Sequence, residues 1–218
     1  MNKLLFFLIV THSTFALGQD MFATAIGADP KQSKPLGLSF ELSLSQPTAK
    51  IDFGAPIDAI YSGLGVHGRV VFPMYFGKAG SANFTLGAKF LNLTNNLNST
   101  ETKEISQYLG PVAGLKFSLY RLFFGAEYSY LSANHYWIGD NSDELAFNLG
   151  QFSYFAGLSF KITDDLDFAV EYNLGSGKVP KNATGITQDG TFSDETLWLK
   201  FIYTSGKSFN DFLKSAFK

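Results

Sequence analysis

Carboxylates, lysines, an arginine and a histidine recur in this chain within segments where every second residue is large and apolar. Charges of both signs collected on one face can form a connected ion-pair network, or they can line a narrow path for ions. The side chains concerned are Glu41, His67, Arg69, Lys89, Lys116, Glu127, Lys161, Glu171 and Lys200. Whether they meet depends on the elements that carry them.

A second chemical candidate is His135, in the run Asn134–His135–Tyr136–Trp137. With Ser142 or Asp143 as its neighbour, this histidine could act as the base of an acyl-transfer site. We expect it to lie in an outer loop, and no pairing of His with Ser on adjacent predicted strands supports the idea. The sequence therefore predicts no catalytic residue.

Two further motifs match ligand-binding patterns by letter only. Asp140, Ser142 and Glu144 alternate like calcium ligands, but they lack the glycine and the spacing of an EF-hand loop. Gly63–Gly68 spells the dinucleotide fingerprint, yet the predicted strand runs straight through it and no acid occurs in Asn83–Leu91. We predict neither a metal site nor a cofactor.

The composition narrows the class of protein. The chain has 218 residues, enough for one ordinary domain, with 23 Phe and 21 Gly. It has no cysteine, which excludes disulfides and thiolate metal sites. The net charge of −2 argues against nucleic acid as a partner. No apolar run of about 18 residues follows the N-terminus, which excludes a helical membrane protein.

The N-terminus has the pattern of a secretory signal peptide. Lys3 precedes the apolar stretch Leu4–Val10, and small residues end the segment at Ala16 and Gly18. This predicts export, with residues 1–18 removed by cleavage near Gly18. We expect residues 19–35, which contain two prolines, to form a flexible periplasmic lead-in.

Leu166–Gly175 alternates apolar and polar residues over ten positions, a period of two that only a strand can sort onto two faces. Ten residues of tilted strand also cross a bilayer. Eight segments share the pattern: 36–45, 60–72, 83–93, 108–119, 122–131, 151–162, 166–175 and 196–204. We expect their apolar faces to point at lipid and their polar faces at a lumen.

The connections alternate between long and short. Long, polar connections are expected at 46–58, 94–106, 132–148 and 176–194, and short ones at 73–82, 120–121 and 163–165. Long loops at one rim and short turns at the other are typical of bacterial outer-membrane barrels. The prediction is an all-β fold: an eight-stranded antiparallel up-and-down transmembrane β-barrel over residues 36–205.

With its signal peptide, eight-strand meander and charged interior, the chain resembles the OmpA/OmpX-type small outer-membrane barrel domain. The closing strand Leu197–Tyr203 resembles the aromatic-ended strand that the barrel-insertion machinery recognises. The resemblance implies a bacterial outer-membrane location, with membrane lipid and lipopolysaccharide as partners. The expected aromatic girdle consists of Tyr128, Tyr130, Tyr136, Trp137 and Tyr203.

Residues 206–218 form a tail that continues past this closing strand. Phe209, Phe212, Leu213 and Phe217 fall on one face of a short predicted helix, flanked by lysines. An interfacial helix, a contact with a neighbouring subunit and a tail that plugs the barrel mouth all fit this pattern.

Three functional hypotheses follow from these patterns. The first is a non-enzymatic outer-membrane barrel with a structural or surface-interaction role, whose lumen is filled by the ion-pair network. The second is a small-solute or ion porin, alone or as a homo-oligomer. The third, implied by a resemblance to the outer-membrane lipid A deacylases and palmitoyl transferases, small barrels that use His with Ser or Asp near the outer rim, is a lipid A-modifying barrel enzyme that depends on His135.

Overall fold

The computed structural model describes residues 38–52, 59–76, 80–96, 103–138, 144–181 and 189–205. The predicted signal peptide at residues 1–18, the predicted lead-in at residues 19–35 and the predicted tail helix lie outside these ranges. The strands are β1 (Ser39–Ser45), β2 (Thr48–Asp52), β3 (Ala59–Phe76), β4 (Gly80–Asn96), β5 (Lys103–Leu119), β6 (Leu122–Ile138), β7 (Glu144–Lys161), β8 (Leu166–Val179) and β9 (Gly190–Thr204). No helix within the described ranges is long and apolar enough to span a membrane.

The strands close into one antiparallel ring. Each strand from β3 to β9 pairs with its sequence neighbour, and both β1 and β2 pair with β3 on one side and with β9 on the other. Since β1 and β2 share one position in the ring, the nine strands make an eight-position barrel. Pro47 lies between them, where its missing N–H cannot continue a ladder. The predicted eight-stranded up-and-down barrel is confirmed.

Both ends of the barrel have the predicted character. The turn end carries the Tyr120–Arg121 and Thr163–Asp165 turns, together with the first and last described residues, Leu38 and Ser205. Tyr120 has a φ of 52°, the left-handed conformation that a two-residue hairpin requires. The strand ends Phe76 and Gly80 also lie at the turn end, because Gly80 pairs with Leu119. The remaining strand ends, at Asp52 and Ala59, Asn96 and Lys103, Ile138 and Glu144, and Val179 and Gly190, lie at the loop end.

The outer surface changes character at one level around the ring. The apolar exterior of the strands continues from the turn end up to Leu44, Leu64, Phe90, Leu109, Tyr130, Phe152, Leu174 and Leu197, strand by strand; beyond this level only Ile60, Ile105 and Tyr136 are large apolar or aromatic residues on the described outer face. Two residues further along each strand, the exterior position holds Gln46, Ser62, Asn92, Gln107, Ser132, Gly150, Ser176 and Glu195. Paired residues link these positions from strand to strand, so they form a continuous border.

The border divides the barrel into two storeys with opposite polarity. The lower storey, toward the turn end, is apolar outside and polar inside; its exterior on β6, Leu122–Tyr130, matches the roughly nine to eleven residues that cross a bilayer. The upper storey is mainly polar outside, with Ile60, Ile105 and Tyr136 as exceptions. It packs an apolar core: Ala49, Ile51, Tyr61, Leu91, Leu93, Tyr108, Leu131, Ala133, Leu145, Phe147, Leu149, Val179 and Phe192.

The upper storey explains why the predicted outer loops were too long. β2 lies inside the loop predicted over 46–58, and β6 and β7 extend into the loop predicted over 132–148. In β7, Leu145, Phe147 and Leu149 still alternate with polar residues, but here the apolar positions face inward. These segments were predicted as loops because the prediction expected the apolar residues of every strand to face outward, toward lipid.

Candidate functional site

Arg69 lies at the centre of the lower storey and contacts three glutamates from three other strands. Its Nε donates to Glu41 Oε2 at 2.9 Å, its Nη1 to Glu127 Oε2 at 3.0 Å and its Nη2 to Glu171 Oε2 at 2.7 Å. The guanidinium fork is suited to several carboxylates at once because its N–H groups point in fixed, divergent directions. All four side chains are buried.

Two lysines complete this lower ion cluster. Lys116 donates to Glu41, and Lys200 donates to Glu171 and lies 3.4 Å from Glu41 Oε2. Three cationic and three anionic side chains therefore balance one another in formal charge. Both lysines are buried, at 6% and 0% exposure, so this balance offsets the desolvation of all six groups.

Two aromatic rings pack against the cations of the cluster on its turn-end side. The Arg69 guanidinium lies 4.8 Å from the ring centroid of Phe155, and Lys116 Nζ lies 4.3 Å from that of Phe123. Lys200 Nζ is 5.7 Å from both rings. Cations on ring faces recover part of the electrostatic stabilisation lost with water, so the two phenylalanines also stabilise the charged layer.

A second group, the upper polar cluster, lies nearer the border. Lys89 Nζ is 3.6 Å from Asp194 Oδ2 and donates to Gln151 Oε1 at 3.2 Å. Gln151 also donates to Asp194, as does Thr196 Oγ1 at 3.1 Å. Lys89 was predicted in the same network as Arg69, but the structure pairs it separately. Asp194 was missed because it lies in a polar stretch that was predicted as loop. It could have been recognised as inward-facing because it is an even number of residues from Thr196 and Lys200, which share its face of the strand.

His67 and Trp198 separate the two clusters. Their rings meet edge to face with centroids 5.6 Å apart, and both side chains are buried. His67 Nε2 lies 4.0 Å from Glu127 Oε2, beyond hydrogen-bond distance. Gly65 makes room for the indole, because a Cβ at that position would lie 2.8 Å from its ring. His67 therefore packs among the network members without bridging them.

Lys161 does not belong to the lumen, and its prediction was wrong. Its side chain is 60% exposed and donates to Asp164 Oδ1 at 2.6 Å, three residues along the chain. The residue has the inward parity of β7, but the strand has passed the turn-end rim at this point. The alternation of residues along a strand shows which face a side chain is on, but it does not show whether the residue lies within the barrel or beyond its rim.

His135 lies in β6 and points into the upper storey, so its predicted place in a loop was wrong. Its Nδ1 is 2.5 Å from Ser106 Oγ on β5, directly opposite in the register. Tyr61 packs edge to face on the imidazole and donates to Glu104. The sequence analysis missed this His–Ser pair because Ser106 lay in a predicted loop. Ser142 and Asp143 are outside the described residues.

The predicted girdle residues occupy different heights. Tyr128 and Tyr130 are half exposed on the exterior of β6 just below the border, whereas Tyr203 is half exposed near the turn end. Tyr136 is partly exposed on the upper storey, and the side chain of Trp137 is outside the described structure. Sequence analysis missed Tyr154 and Tyr172, exposed on β7 and β8 close to the border.

The lumen of the described barrel is thus filled layer by layer. From the turn end it contains Phe123 and Phe155, the lower ion cluster, the upper polar cluster and the apolar core. In the described ranges, no group of three or more His, Asp or Glu side chains is arranged to hold a metal ion. Chemically, the arrangement supports charge compensation and packing.

The chain matches no protein-family model and no curated protein. Solved structures with a similar chain course include Neisserial surface protein A, at 14% identity and a TM-score of 0.48 over 78% of this chain and 99% of that one. Ail of Yersinia pestis has 13% identity and a TM-score of 0.46 over 77% and 99%. OmpT from Escherichia coli has 7% identity and a TM-score of 0.46 over 80% and 99%. These values are too low to support a conclusion about activity.

Proposed function

We propose that the chain is an integral outer-membrane barrel with a structural or surface-interaction role and a closed lumen. The observation that carries this proposal is the stack of two buried layers in the lumen, one charged and one apolar. An ion crossing the barrel would have to part Arg69 from its glutamates and then cross the apolar core. Both steps cost several kcal/mol, because a separated buried charge has no substitute partner.

The belt of the lower storey supports the membrane location. Leu, Phe, Val and Tyr cover its exterior, with no charged side chain among the exterior positions of β6 between Leu122 and Tyr130. Such a surface is stable against lipid tails and would aggregate in water. We place the turn end at the periplasm and the upper storey outside the cell. Membrane lipid and lipopolysaccharide would then contact the belt and the border.

Planar-bilayer recording of the refolded mature chain tests the closed lumen. We expect no uniform conducting steps, while a heat-dependent shift on detergent gels verifies that the barrel is folded. Long, uniform steps from folded protein would contradict the proposal and favour the small-solute or ion porin. The ion clusters would then line a selective path.

The surface-interaction role has a separate test. In this proposal, the upper storey is a rigid support that places the strand ends Asn96, Lys103, Ile138 and Glu144 away from the membrane, and the connections 97–102 and 139–143 contact the partner. Cells that display the chain should attach to their surface partner, and replacing both connections with Gly-Ser segments of equal length should abolish attachment without changing the amount of folded barrel. Unchanged attachment would exclude these two connections as the contact surface. Attachment by the native chain no greater than with empty vector would leave the purely structural role.

The Ser106–His135 pair is the observation that favours a second candidate, the lipid A-modifying enzyme. A serine hydroxyl hydrogen-bonded to an imidazole is the core of a nucleophilic site. However, the two side chains are 1% and 0% exposed, and the apolar core packs beneath them, so a bulky lipid cannot reach the hydroxyl in this arrangement. The geometry fits an internal hydrogen bond better.

Mass spectrometry of lipid A from cells with the chain, with Ser106→Ala, with His135→Ala and with empty vector tests this candidate. The closed-barrel proposal predicts four identical spectra. A modification that appears with the native chain and disappears with both substitutions would establish the enzyme. Gel-shift analysis of the variants ensures that loss of signal is not loss of folding.

A further inference from the structure

A cavity of about 280 Å³ lies at the turn end of the lumen, below the lower ion cluster. Glu41, Lys116 and Phe123 form its inner part, and Val71 and Ile202 contribute apolar walls. Its outer part is a ring of hydroxyls from Ser39, Ser81, Ser118, Ser159 and Thr204. We call this cavity the turn-end vestibule. Its volume is just below the roughly 300 Å³ at which small-molecule pockets begin, so it suits one or two side chains.

The chain leaves the barrel at the edge of this vestibule. The Thr204 amide donates to the Asp165 carbonyl at 2.8 Å, and the Ser205 amide donates to the Leu38 carbonyl at 2.8 Å. Thr204 itself lines the cavity, and its hydroxyl lies 3.0 Å from that of Ser39. Whatever follows Ser205 therefore starts at the vestibule mouth.

Thirteen residues follow, and their composition complements the rim. Residues 206–218 contain three phenylalanines, one leucine and three lysines against a single aspartate. The adjacent rim carries Asp164 and Asp165 in the neighbouring turn and Asp167 in β8, and Asp167 lines the cavity. Asp164 is already paired with Lys161, so Asp165 and Asp167 are the carboxylates left for the lysines of the segment. The mixed apolar and hydroxyl lining gives an aromatic side chain a place to be buried.

The distances are compatible with docking on the same barrel. Phe209 is five residues from Thr204, and an extended chain covers about 3.3–3.6 Å per residue, so Phe209 can reach roughly 17 Å from the rim. A segment tethered at the mouth also has a high local concentration there, in the millimolar range for short flexible tethers. Weak contacts are then enough to keep it bound.

We propose that the C-terminal segment 206–218 docks in the turn-end vestibule of its own barrel. Phe209 enters the cavity toward Phe123, and the lysines lie against Asp165 and Asp167. The docked segment contacts the hydroxyl ring, including Ser118. This inference goes beyond the closed-lumen proposal and does not depend on it, because the charged and apolar layers close the barrel without the tail.

The absence of cysteine makes a direct test possible. Ser118→Cys places a single thiol in the hydroxyl ring, and its rate of maleimide labelling is compared between the full chain and a chain ending at Ser205. We expect labelling to be at least about tenfold faster without the tail, the factor that about 1.4 kcal/mol of docking free energy produces. Ser193→Cys, on the exterior of the upper storey, is the matched control and should label equally in both chains.

Equal labelling of Ser118→Cys in both chains would overturn the proposal and favour a tail lying on the membrane or elsewhere. A second variant identifies the occupant and does not depend on deleting residues. With Ser118→Cys and Phe209→Cys together, mild oxidation should give an intrachain disulfide in a monomeric band. A disulfide-linked dimer as the main product would assign the vestibule to the tail of a second copy and contradict docking within one barrel.

Discussion

Arg69 contacts all three glutamates of the lower ion cluster, and no other side chain of that cluster does so. Replacing Arg69 with leucine leaves three glutamates and two lysines in the cluster. Glu41 keeps Lys116 and Glu171 keeps Lys200 as a cationic partner, whereas Glu127 loses the only cation of the cluster that donates to it. Breaking a buried ion pair costs about 3–5 kcal/mol, because the remaining charge is desolvated without compensation. We expect Arg69→Leu to lower the free energy of unfolding in lipid vesicles by this amount.

Lys161→Met is the matched control for that substitution. It also removes one cation from an ion pair, but the pair with Asp164 is exposed and screened by water, so the free energy of unfolding should change far less than in Arg69→Leu. Adding Glu127→Gln to Arg69→Leu should recover part of the loss. If Arg69→Leu and Lys161→Met unfold at the same denaturant concentration, the lower ion cluster is not what stabilises the lumen.

Asp164 permits a prediction about pH at the turn end, outside the strands. The hydrogen bond and the charge of Lys161 hold the pKa of the Asp164 carboxyl below its ordinary value of 3.8. A lowered pKa stabilises the fold above the ordinary value, and this contribution is lost as the pH falls through the lowered one. Carboxyl NMR titration should place the titration midpoint of Asp164 below 3.8, and Lys161→Met should raise this midpoint back toward 3.8. An unchanged midpoint in that variant would exclude Lys161 as the cause.

The residue scale also shows how far the sequence could predict the lumen. Period two along each strand was enough to identify Arg69, Glu127 and Glu171 as inward-facing, because neighbouring side chains alternate between faces. It could not predict which charges meet, since that depends on the stagger between strands, which a single sequence does not reveal. For this reason Lys89 was grouped with Arg69, and its partner Asp194 was not recognised.

At the scale of elements, the strands are longer than a bilayer requires. β6 has 17 residues and β7 has 18, whereas about nine to eleven tilted residues cross the hydrocarbon layer. The surplus forms the upper storey, where the inside and outside exchange polarity. The turns at Tyr120–Arg121 and Thr163–Asp165 were predictable because their flanking strands keep the membrane pattern up to the turn. The strand ends at the loop end were not predictable, because the apolar residues there face inward and the polar residues face outward.

The inversion predicts opposite effects of one substitution at two heights on β6. Ala126 and Asn134 both face outward, the first in the middle of the belt and the second above the border. Ala126→Arg should lower the free energy of unfolding in vesicles by about 2–4 kcal/mol, the cost of arginine on a lipid-facing barrel position at mid-depth. Asn134→Arg faces water and should stay within about 0.5 kcal/mol of the native chain. Equal costs would place both residues in the same environment and refute the two storeys.

At the scale of the whole molecule, the closed ring distributes the stabilising interactions over every strand. The lower ion cluster draws on β1, β3, β5, β6, β8 and β9, and the apolar core on residues from β2 through β9. A strand removed anywhere would open both layers at once. The turn-end vestibule and the border are likewise shared by most strands, so the closed lumen, the belt and the seating in the membrane are properties of the complete barrel.

The border therefore predicts one membrane level around the entire circumference, and single cysteines in this cysteine-free chain can map it. Residues just above the border should react with a membrane-impermeant maleimide in nanodiscs, and residues just below should not, because lipid covers them. The upper positions are Ser62, Gln107, Ser132 and Glu195, and the lower ones are Leu64, Leu109, Tyr130 and Leu197.

The same variants determine the orientation when whole cells are labelled. With the upper storey outside, the four upper positions react before the outer membrane is permeabilised; with the opposite orientation they react only afterwards. Each upper position is two residues from a lower position on the same strand. Local unfolding would make both cysteines of such a pair reactive, so it can be distinguished from the membrane border. A ring in which upper positions react on some strands and lower ones on others would show that the polarity border is not the membrane surface. The belt would then have to be covered by another protein rather than by lipid.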